Sequence, residues 1–258
     1  MKLITSAAAM QRQSAAWARS GERVGLVPTM GALHHGHFSL VYRARRECRR
    51  VVVSIYVNPT QFGPKEDFSR YPRPRRRDLA LCRAAGVDLV FAPENLYLPD
   101  HSTYVEETLL SLGRDGAARP GHFRGVATVV LKLFNLVRPA KAYFGRKDAQ
   151  QVDVIRRMAR DLNVPVQIVT GPTLRDADGV ALSSRNRYLS AGERAVAGEF
   201  ARLLQQAAKR KTNPAGWLGQ RLKKTSGLKL DYVELAGNRL CAAVFVGKTR
   251  LIDNERLR

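Results

Sequence analysis

Apolar runs and amphipathic stretches alternate through the first two-thirds of the chain. Strands that alternate with helices in this way are typical of a parallel sheet covered by helices on both faces. The pattern therefore predicts a Rossmann-like α/β domain, which we place at residues 1–173. Its predicted strands are residues 23–28, 51–57, 87–91, 140–144 and 165–170.

Helical periodicity fills the segments between these strands. It is clearest over residues 125–137, where apolar residues recur at intervals of three and four. Further helices are expected to begin near His37, to run from Pro74 to Gly86, and to follow Lys147. Their apolar stripes predict packing against the sheet and carry no chemistry.

The pattern changes after residue 173. Ser190 and Glu193 have the spacing of a capping box, which predicts a helix that begins there and runs toward Lys209. A weaker helix is expected over residues 217–224. Helices followed by strands indicate a smaller α+β domain at residues 174–258. Its predicted strands are residues 230–235, 242–246 and 250–252.

The composition is that of an ordinary globular protein, with 45% hydrophobic and 26% charged residues. No apolar run reaches the roughly 18 residues of a membrane-spanning helix, and the N-terminus lacks the pattern of a secretory signal. The cysteines Cys48, Cys82 and Cys241 lie far apart, without the spacing of a disulfide framework or a metal site. We therefore expect a cytoplasmic protein with reduced thiols and no membrane partner.

The net charge of +22 is unusual. Such a charge attracts polyanions, so a nucleic-acid partner has to be considered. The arginine clusters lack the interleaved aromatic residues of a single-strand binding platform, and we interpret them as solvated helix faces with no specific nucleic-acid partner. The clusters are Arg43, Arg45, Arg46, Arg49 and Arg50, followed by Arg73, Arg75, Arg76 and Arg77.

The segment VPTMGALHHGH, residues 27–37, joins a predicted strand to a predicted helix. A helix N-terminus offers unpaired amide donors and a partial positive charge, which favour a bound anion. Gly31 and Gly36 allow the backbone to approach a ligand closely, since they lack a Cβ atom. His34 and His37 lie three residues apart, and their imidazoles can donate to the charge that develops on a departing pyrophosphate.

The three histidines of this segment raise the alternative of a metal site. Consecutive residues at a helix start point in different directions, and no further histidine or carboxylate follows at helical spacing. The pattern therefore favours phosphate binding, although the sequence leaves both interpretations open.

Three later segments add candidate ligands. Gln61 and Gln151 can hold a hydroxyl or a carboxylate through neutral hydrogen bonds. Lys147 can place a mobile positive charge on phosphate oxygens, and Asp148 can reach a ribose hydroxyl or a hydrated Mg²⁺. The Ser-Ser-Arg sequence at residues 183–185 adds two hydroxyls and a guanidinium group for a triphosphate. Taken alone, the glutamines would be surface residues and the Lys–Asp pair a helix cap.

Five segments resemble the pantoate–β-alanine ligase family, also called pantothenate synthetases, in order and approximate spacing. They are VPTMGALHHGH at residues 27–37, VNPTQF at 57–62, RPGHFRGV at 119–126, FGRKDAQQ at 144–151 and RDADGVALSSRN at 175–186. The first contains the His-x-Gly-His element of the nucleotidylyltransferase superfamily. RLIDN at residues 250–254 is similar to the family's ending.

The resemblance implies an ATP-dependent ligase that condenses (R)-pantoate with β-alanine to pantothenate, a step of coenzyme A biosynthesis. Pantoate would be activated as pantoyl-adenylate with release of pyrophosphate, and β-alanine would then displace AMP. Mg²⁺ would accompany ATP, and members of the family usually form homodimers.

The resemblance also implies roles for individual residues. The expected catalytic residues are His34, His37 and Lys147, and Asp148 is expected to bind Mg²⁺. Asn58, Gln61 and Gln151 are expected to bind pantoate, and Gln61 is also expected to bind β-alanine. The expected ATP-binding residues are Met30, Gly31, His34, Gly36, His37, Gly145, Lys147, Asp148, Leu174, Leu182, Ser183, Ser184 and Arg185.

The chain departs from the family pattern in three places. Arg146 stands where a glutamate is usual, Ala149 replaces an aromatic residue, and Asp115-Gly116 replaces Glu-Gly. The C-terminal domain is also somewhat short. Two further functions are therefore weighed: a non-catalytic family member that acts as a binding protein or scaffold, and an RNA-linked protein suggested by the superfamily motif and the charge. No RNA-recognition module is visible in the sequence.

Overall fold

A six-stranded parallel sheet forms the centre of the first part of the chain in the computed structural model, which describes residues 1–64 and 66–257. Its strands are β1 (Lys2–Ile4), β2 (Val24–Thr29), β3 (Arg50–Ile55), β4 (Leu89–Phe91), β5 (Lys141–Gly145) and β6 (Gln167–Gly171). They lie in the order β1-β4-β3-β2-β5-β6, and each neighbouring pair is parallel. The predicted α/β class is confirmed.

Helices cover both faces of this sheet. They are α1 (Ala7–Arg19), α2 (His35–Glu47), α3 (Arg75–Ala84), α5 (His122–Val137) and α6 (Ala149–Asp161), and the short α4 (Arg114–Ala118) lies in the connection that leads to α5. Side chains alternate between the faces of a strand, so Val51 and Val53 of β3 pack with α2 and α3, whereas Val52 packs with α1, α5 and α6. The result is a three-layer α/β/α arrangement with one apolar core on each face of the sheet.

A smaller α+β unit follows, as the pattern predicts. It consists of α7 (Ala191–Ala208), α8 (Pro214–Lys224), β7 (Leu228–Ala236), β8 (Arg239–Val246) and β9 (Thr249–Arg256). The three strands form an antiparallel sheet that shares a third apolar core with the two helices. The capping box of Ser190 and Glu193 is present at the start of α7. The boundary at residue 173 falls between the two sheets and stays a prediction.

Several element bounds differ from the sequence prediction. Strand β1 and helix α1 had no predicted counterpart, because a three-residue strand gives no periodic signal and α1 is dominated by alanine and polar residues. Strand β4 begins at Leu89 rather than at residue 87, and the Asp88 carboxylate before it accepts a hydrogen bond from the amide of Val51. Helix α5 begins at His122 rather than Gly125, because the preceding Gly121 has a left-handed backbone (φ 78°) that ends the loop.

The three cysteines are all buried as free thiols. Burial raises the pKa of the Cys82 thiol to about 12, so this side chain behaves as a small apolar group. In residues 1–64 and 66–257, no helix combines the length and the apolar character needed to cross a membrane.

Candidate active site

The site lies where the strand order of the parallel sheet reverses. From β2 the chain continues to β3 on one side, whereas β5 and β6 lie on the other side of β2. Helix α2 follows β2 and helix α6 follows β5, and because β2 and β5 are adjacent and parallel, both helices begin at the same edge. Crevices at such switch points are the usual ligand sites of open α/β sheets.

A cavity of about 220 Å³ occupies this crevice. All predicted site residues except Gly31 line it, namely Met30, His34, Gly36, His37, Asn58, Gln61, Gly145, Lys147, Asp148, Gln151, Leu174, Leu182, Ser183, Ser184 and Arg185. A second cavity of about 940 Å³, which reaches toward the C-terminal sheet, shares Gln61, Lys147 and Asp148 with it. The fold therefore brings together segments that are up to 155 positions apart, from Met30 to Arg185.

Gly31 lies beside the cavity in a turn that a buried carboxylate holds. Its backbone is left-handed (φ 85°), a conformation that glycine adopts without strain. Asp78, at the start of α3, accepts hydrogen bonds from the amides of Ala32 (2.8 Å) and Leu33 (2.9 Å). Sequence reasoning missed Asp78, because it follows three arginines that suggested only a solvated face. This contact fixes the loop that leads into His34.

The side chains of His34 and His37 together cap the N-terminus of α2. The Nδ1 atom of His34 accepts from the amide of Gly36 (3.2 Å), and the Nδ1 atom of His37 accepts from the amide of His34 (3.2 Å). An amide can only donate, so both Nδ1 atoms are unprotonated acceptors and both neutral rings carry hydrogen on Nε2. The two rings, 4.0 Å apart between centroids, thus hold Nε2–H donors at the cavity that they line.

Both imidazoles are held neutral. Desolvation, followed by the nearby charges of Lys147 and Arg187, lowers the pKa of His34 to about 4. Desolvation and the neighbouring His34 and Lys147 lower the pKa of His37 to about 3. At neutral pH the two rings therefore offer hydrogen bonds rather than protons.

The metal interpretation of these histidines finds no matching ligand set. Across the residues that the structure describes, no group of three or more His, Cys, Asp or Glu side chains is placed to hold a metal ion. The Nδ1 atoms are already bonded to backbone amides. The arrangement favours anion binding.

Lys147 and Asp148 project from the loop between β5 and α6. Asp148 occupies the N-cap position of α6, yet its side chain caps none of the backbone amides in the described residues, so the helix-cap interpretation is wrong. The Nζ atom of Lys147 lies 3.7 Å from the Asp148 carboxylate, a loose pair. Asn254 of β9 donates to the carbonyls of Arg146 (3.0 Å) and Lys147 (2.8 Å), so the second unit holds this loop in place.

Gln61 belongs to a 3₁₀ turn, Pro59–Gln61, that follows β3. Its Oε1 atom accepts from the Nδ2 atom of Asn58 (3.1 Å). Asn58 also donates to the carbonyl of Gly125, and its Oδ1 accepts from the hydroxyls of Thr60 and Tyr97. Both donors and both lone pairs of Asn58 are therefore used, which favours an indirect role for a residue predicted to contact pantoate. Gln151 lines both cavities, a position from which it can contact a bound molecule.

The Ser-Ser-Arg segment is already bonded to the loop that follows the 3₁₀ turn. Arg185 forms two hydrogen bonds with the carboxylate of Asp67 (2.9 and 2.8 Å). The hydroxyls of Ser184 and Tyr71 share a hydrogen bond of 2.9 Å, and Ser183 Oγ accepts from the amide of Arg185. These contacts close one wall of the cavity, and sequence reasoning had no signal for Asp67 or Tyr71.

Comparison with known proteins decides the family. A family model described as pantoate-beta-alanine ligase matches residues 2–256. The chain belongs to the pantoate–β-alanine ligase family. A pantothenate synthetase of Chloroflexus aurantiacus is 58% identical over 212 residues, which span 81% of this chain and 74% of that protein. One from Heliobacterium modesticaldum is 48% identical over 98% of each chain.

Solved structures of ligase-family proteins agree in fold. The pantothenate synthetase of Thermus thermophilus superposes with a TM-score of 0.92 at 44% identity, covering 100% of this chain and 99% of that one. The pantoate-β-alanine ligase of Francisella tularensis gives a TM-score of 0.89 at 34% identity, covering 99% and 97%. That protein was crystallised as a complex with β-γ ATP and β-alanine.

The departures from the ligase-family pattern fall in three different surroundings. Arg146 is exposed, and Ala149 forms the first turn of α6. Asp115 is buried and pairs with Arg250 (2.7 Å), and it also accepts a hydrogen bond from the hydroxyl of Tyr232. The carboxylate of this shorter side chain thus has hydrogen-bond partners in the second unit.

The neutral histidines of this ligase-family site predict a loss of stability in mild acid. Desolvation, with Arg119 next, also lowers the pKa of His122 to about 3. The unfolded chain binds protons on His34, His37 and His122 from about pH 6.5 downward, whereas the folded protein does so only near pH 3–4. Below pH 6.5 the free energy of unfolding should therefore fall, by up to about 1.4 kcal/mol per pH unit for each ring.

Urea denaturation at pH 7.5, 6.5 and 5.5 measures this effect. The His122→Asn variant serves as a comparison, because it should remove the contribution of one ring, up to about 1.4 kcal/mol per pH unit, from the fall in unfolding free energy. An unfolding free energy that stays constant over this interval would mean that the rings take up protons in the folded state.

Proposed function

We propose that this chain is an ATP-dependent ligase that joins pantoate to β-alanine through a pantoyl-adenylate intermediate. The observation that carries the proposal is the convergence of nearly all the predicted ligands on one cavity at the switch point of the sheet. The larger neighbouring cavity, which shares Gln61, Lys147 and Asp148 with it, lies within the size range of small-molecule sites, about 300–1,000 Å³.

The reaction has two displacements. In the first, a carboxylate oxygen of pantoate attacks the α-phosphorus of ATP, the bond to the bridging oxygen breaks, and pyrophosphate leaves. In the second, the amine of β-alanine attacks the activated acyl carbon, the bond to the AMP oxygen breaks, and the amine proton passes to solvent. The protein forms no covalent bond, so it acts through alignment and charge stabilisation.

Three side chains at the two strand-to-helix junctions stabilise the negative charge of the phosphates. The Nε2–H groups of His34 and His37 donate to phosphate oxygens as negative charge moves to the leaving pyrophosphate. Lys147 supplies a full positive charge from the opposite junction. Because the rings are neutral and fixed by their capping bonds, they need no rearrangement during the reaction.

Side chains that end in a carboxamide bind pantoate and β-alanine. Gln61 and Gln151 hold the hydroxyls and carboxylate of pantoate, and Gln61 also contacts β-alanine when it enters. Asn58 fixes the Oε1 atom of Gln61, so that the Nε2–H₂ group is the part of the carboxamide left for the substrate. In this way Asn58 acts on pantoate through Gln61.

ATP takes the remainder of the crevice. Its nucleoside lies among residues of the loops that end β2, β5 and β6, and its phosphates lie at the start of α2 under the Ser-Ser-Arg segment. Arg185 must exchange part of its bond with Asp67 for a phosphate oxygen. The proposed nucleotide contacts are Met30, Gly31, Gly36, Gly145, Asp148, Leu174, Leu182, Ser183, Ser184 and Arg185.

Mg²⁺ enters as the counter-ion of ATP. Asp148 offers a single carboxylate that is 43% exposed at the cavity wall. Mg²⁺ usually keeps several waters and takes one or two protein carboxylates with substrate phosphates, so a lone aspartate fits the ion. When bound, Mg²⁺ would neutralise charge on the phosphates.

The test is pyrophosphate release from ATP with pantoate, measured with and without β-alanine. We expect pantoate-dependent release that becomes multiple-turnover when β-alanine is added, together with formation of AMP. Absence of pantoate-dependent release from the folded protein with Mg²⁺ would refute the proposal and favour a non-catalytic member of the family. A gel shift with tRNA that weakens with salt would support the RNA-linked alternative.

We further propose that the chain is cytoplasmic, because buried free thiols suit a reducing compartment. We also propose a homodimer. Leu98, Leu109 and Leu112, in the segment between β4 and α4, are 74%, 68% and 66% exposed, and a second copy of the chain would remove apolar surface of this kind from water.

Sedimentation velocity at micromolar concentration should give twice the mass of one chain. The Leu109→Glu, Leu112→Glu double variant should sediment as the monomer. A monomeric mass for the unmodified protein would overturn the dimer.

A further inference from the structure

The segment RPGHFRGV, residues 119–126, surrounds the main chain of Gln61. The Nδ1 atom of His122 lies 2.8 Å from the carbonyl oxygen of Gln61, and the Nη2 atom of Arg119 lies 3.3 Å from the same oxygen. A Cβ atom on Gly125 would lie 2.3 Å from the carbonyl oxygen of Thr60. Only glycine therefore lets the first turn of α5 lie directly against the 3₁₀ turn that carries Gln61.

The hydrogen-bond roles in this contact are fixed by the groups involved. A carbonyl oxygen only accepts, so Nδ1 of His122 carries the hydrogen and donates to Gln61. Its Nε2 atom is then an acceptor for the Nη1–H of Arg119, at 3.0 Å. A guanidinium group only donates, which makes this the one tautomer that satisfies both partners.

The charge of Arg119 is balanced within the same network. Glu66 receives two hydrogen bonds from Arg119, at 2.8 and 2.5 Å. Arg119 is largely buried, with 14% of its side chain exposed, and His122 is 8% exposed. A buried and fully bonded network of this kind holds its members in one geometry.

The two sides of Gln61 are thus anchored separately. His122 and Arg119 hold its carbonyl, whereas Asn58 holds its side-chain Oε1 atom. The Nε2 atom has the sulfur of Met30 at 3.3 Å, and Gln61 lines both cavities. Displacement of the backbone by even one ångström would move this donor away from a bound substrate.

We propose that Arg119 and His122 are positioning residues that hold Gln61 in the orientation in which it binds pantoate. The inference rests on the proposed function of the site. It gives a role to a segment that had none in the assignment of ligands. Both residues also line the larger cavity, and in the proposed role they act through the main chain of Gln61.

Steady-state kinetics of Arg119→Gln and His122→Ala test the inference. We expect the KM for pantoate to rise at least tenfold, with the KM for ATP within twofold of the unmodified value. His122→Asn should restore much of the pantoate KM, because its amide nitrogen can replace the Nδ1 donor. Arg124→Gln is the matched control, since the guanidinium of Arg124 lies over the ring of Tyr104 and does not reach Gln61.

A double-mutant cycle with Gln61→Ala separates positioning from general destabilisation. In the Gln61→Ala background, Arg119→Gln should cause no further rise in the pantoate KM. The inference would be overturned if Arg119→Gln raised the pantoate KM equally in both backgrounds. It would also be overturned if the variant raised the KM for ATP as much as the KM for pantoate. A ¹⁵N NMR spectrum of the unmodified protein that shows His122 protonated on Nε2 would overturn it as well.

These outcomes differ from failure of the proposed function. If the unmodified protein releases no pyrophosphate in response to pantoate, the ligase assignment fails and the positioning role falls with it. If the protein is active and the Arg119 and His122 variants keep their pantoate KM, only the positioning role is refuted.

Discussion

The Lys147→Ala variant is expected to release pyrophosphate about 10³-fold more slowly than the unmodified protein. Lys147 lines both cavities, and its side chain is only 18% exposed. A charge held at that point acts on the phosphates in a partly desolvated site, where removal of a single stabilising group typically costs about 10²–10³ in rate. The ion pair that this side chain forms with Asp148, at 3.7 Å, is too loose to matter for folding.

Pre-steady-state pyrophosphate release at saturating ATP and pantoate measures the effect. The control is Lys211→Ala, an exposed lysine in the turn between α7 and α8, which should release pyrophosphate at the normal rate. Circular dichroism and the urea midpoint should be unchanged in both variants. Release by Lys147→Ala within threefold of normal would remove Lys147 from the catalytic machinery.

The His37→Gln variant is expected to lose about 10²–10³ in the same rate while it keeps its stability. Glutamine at the third helical position can still bond to the amide of His34, as in a capping box, so the start of α2 stays formed. What the variant lacks is the rigid Nε2–H donor at the cavity. The prediction therefore separates the structural contact of His37, through Nδ1, from its chemical contact, through Nε2.

His35→Gln is the matched control, because His35 is exposed and lies between the two cavity histidines in sequence. It should leave the rate and the urea midpoint unchanged. If His37→Gln keeps the full rate, the ring serves only as a cap and the phosphate role belongs to other groups. A large drop in the urea midpoint of His37→Gln would show instead that glutamine fails to replace the cap.

Much of the fold follows from local pattern. The apolar stripe over residues 125–137 and the capping box at Ser190 give the type and position of their helices, because periodicity and capping depend on neighbours three or four residues away. Strand β1 did not follow, because its three residues are held by pairing with β4, more than 80 positions along the chain. Such pairing leaves no periodic trace in so short a segment.

The candidate site divides in the same way. Sequence motifs supplied the side chains that were predicted as ligands, and Lys147, Gln61 and His37 line the same cavity. Asp78 and Asp67 had no signal, since one lies beyond a run of arginines and the other in a polar loop. Their roles depend on partners at Leu33 and Arg185, which only folding brings near.

By itself, then, the sequence of this ligase-family protein determined its fold class, most of its helices and strands and the chemical groups available for catalysis. Tertiary structure decided which atoms of those groups are free. Capping leaves the Nε2–H of His37 as a donor, and bonds to four partners use the hydrogen-bonding capacity of the Asn58 side chain, one of them to Gln61. The physical reason is that each polar atom has a fixed capacity for hydrogen bonds, and residues distant in sequence determine how much of it remains.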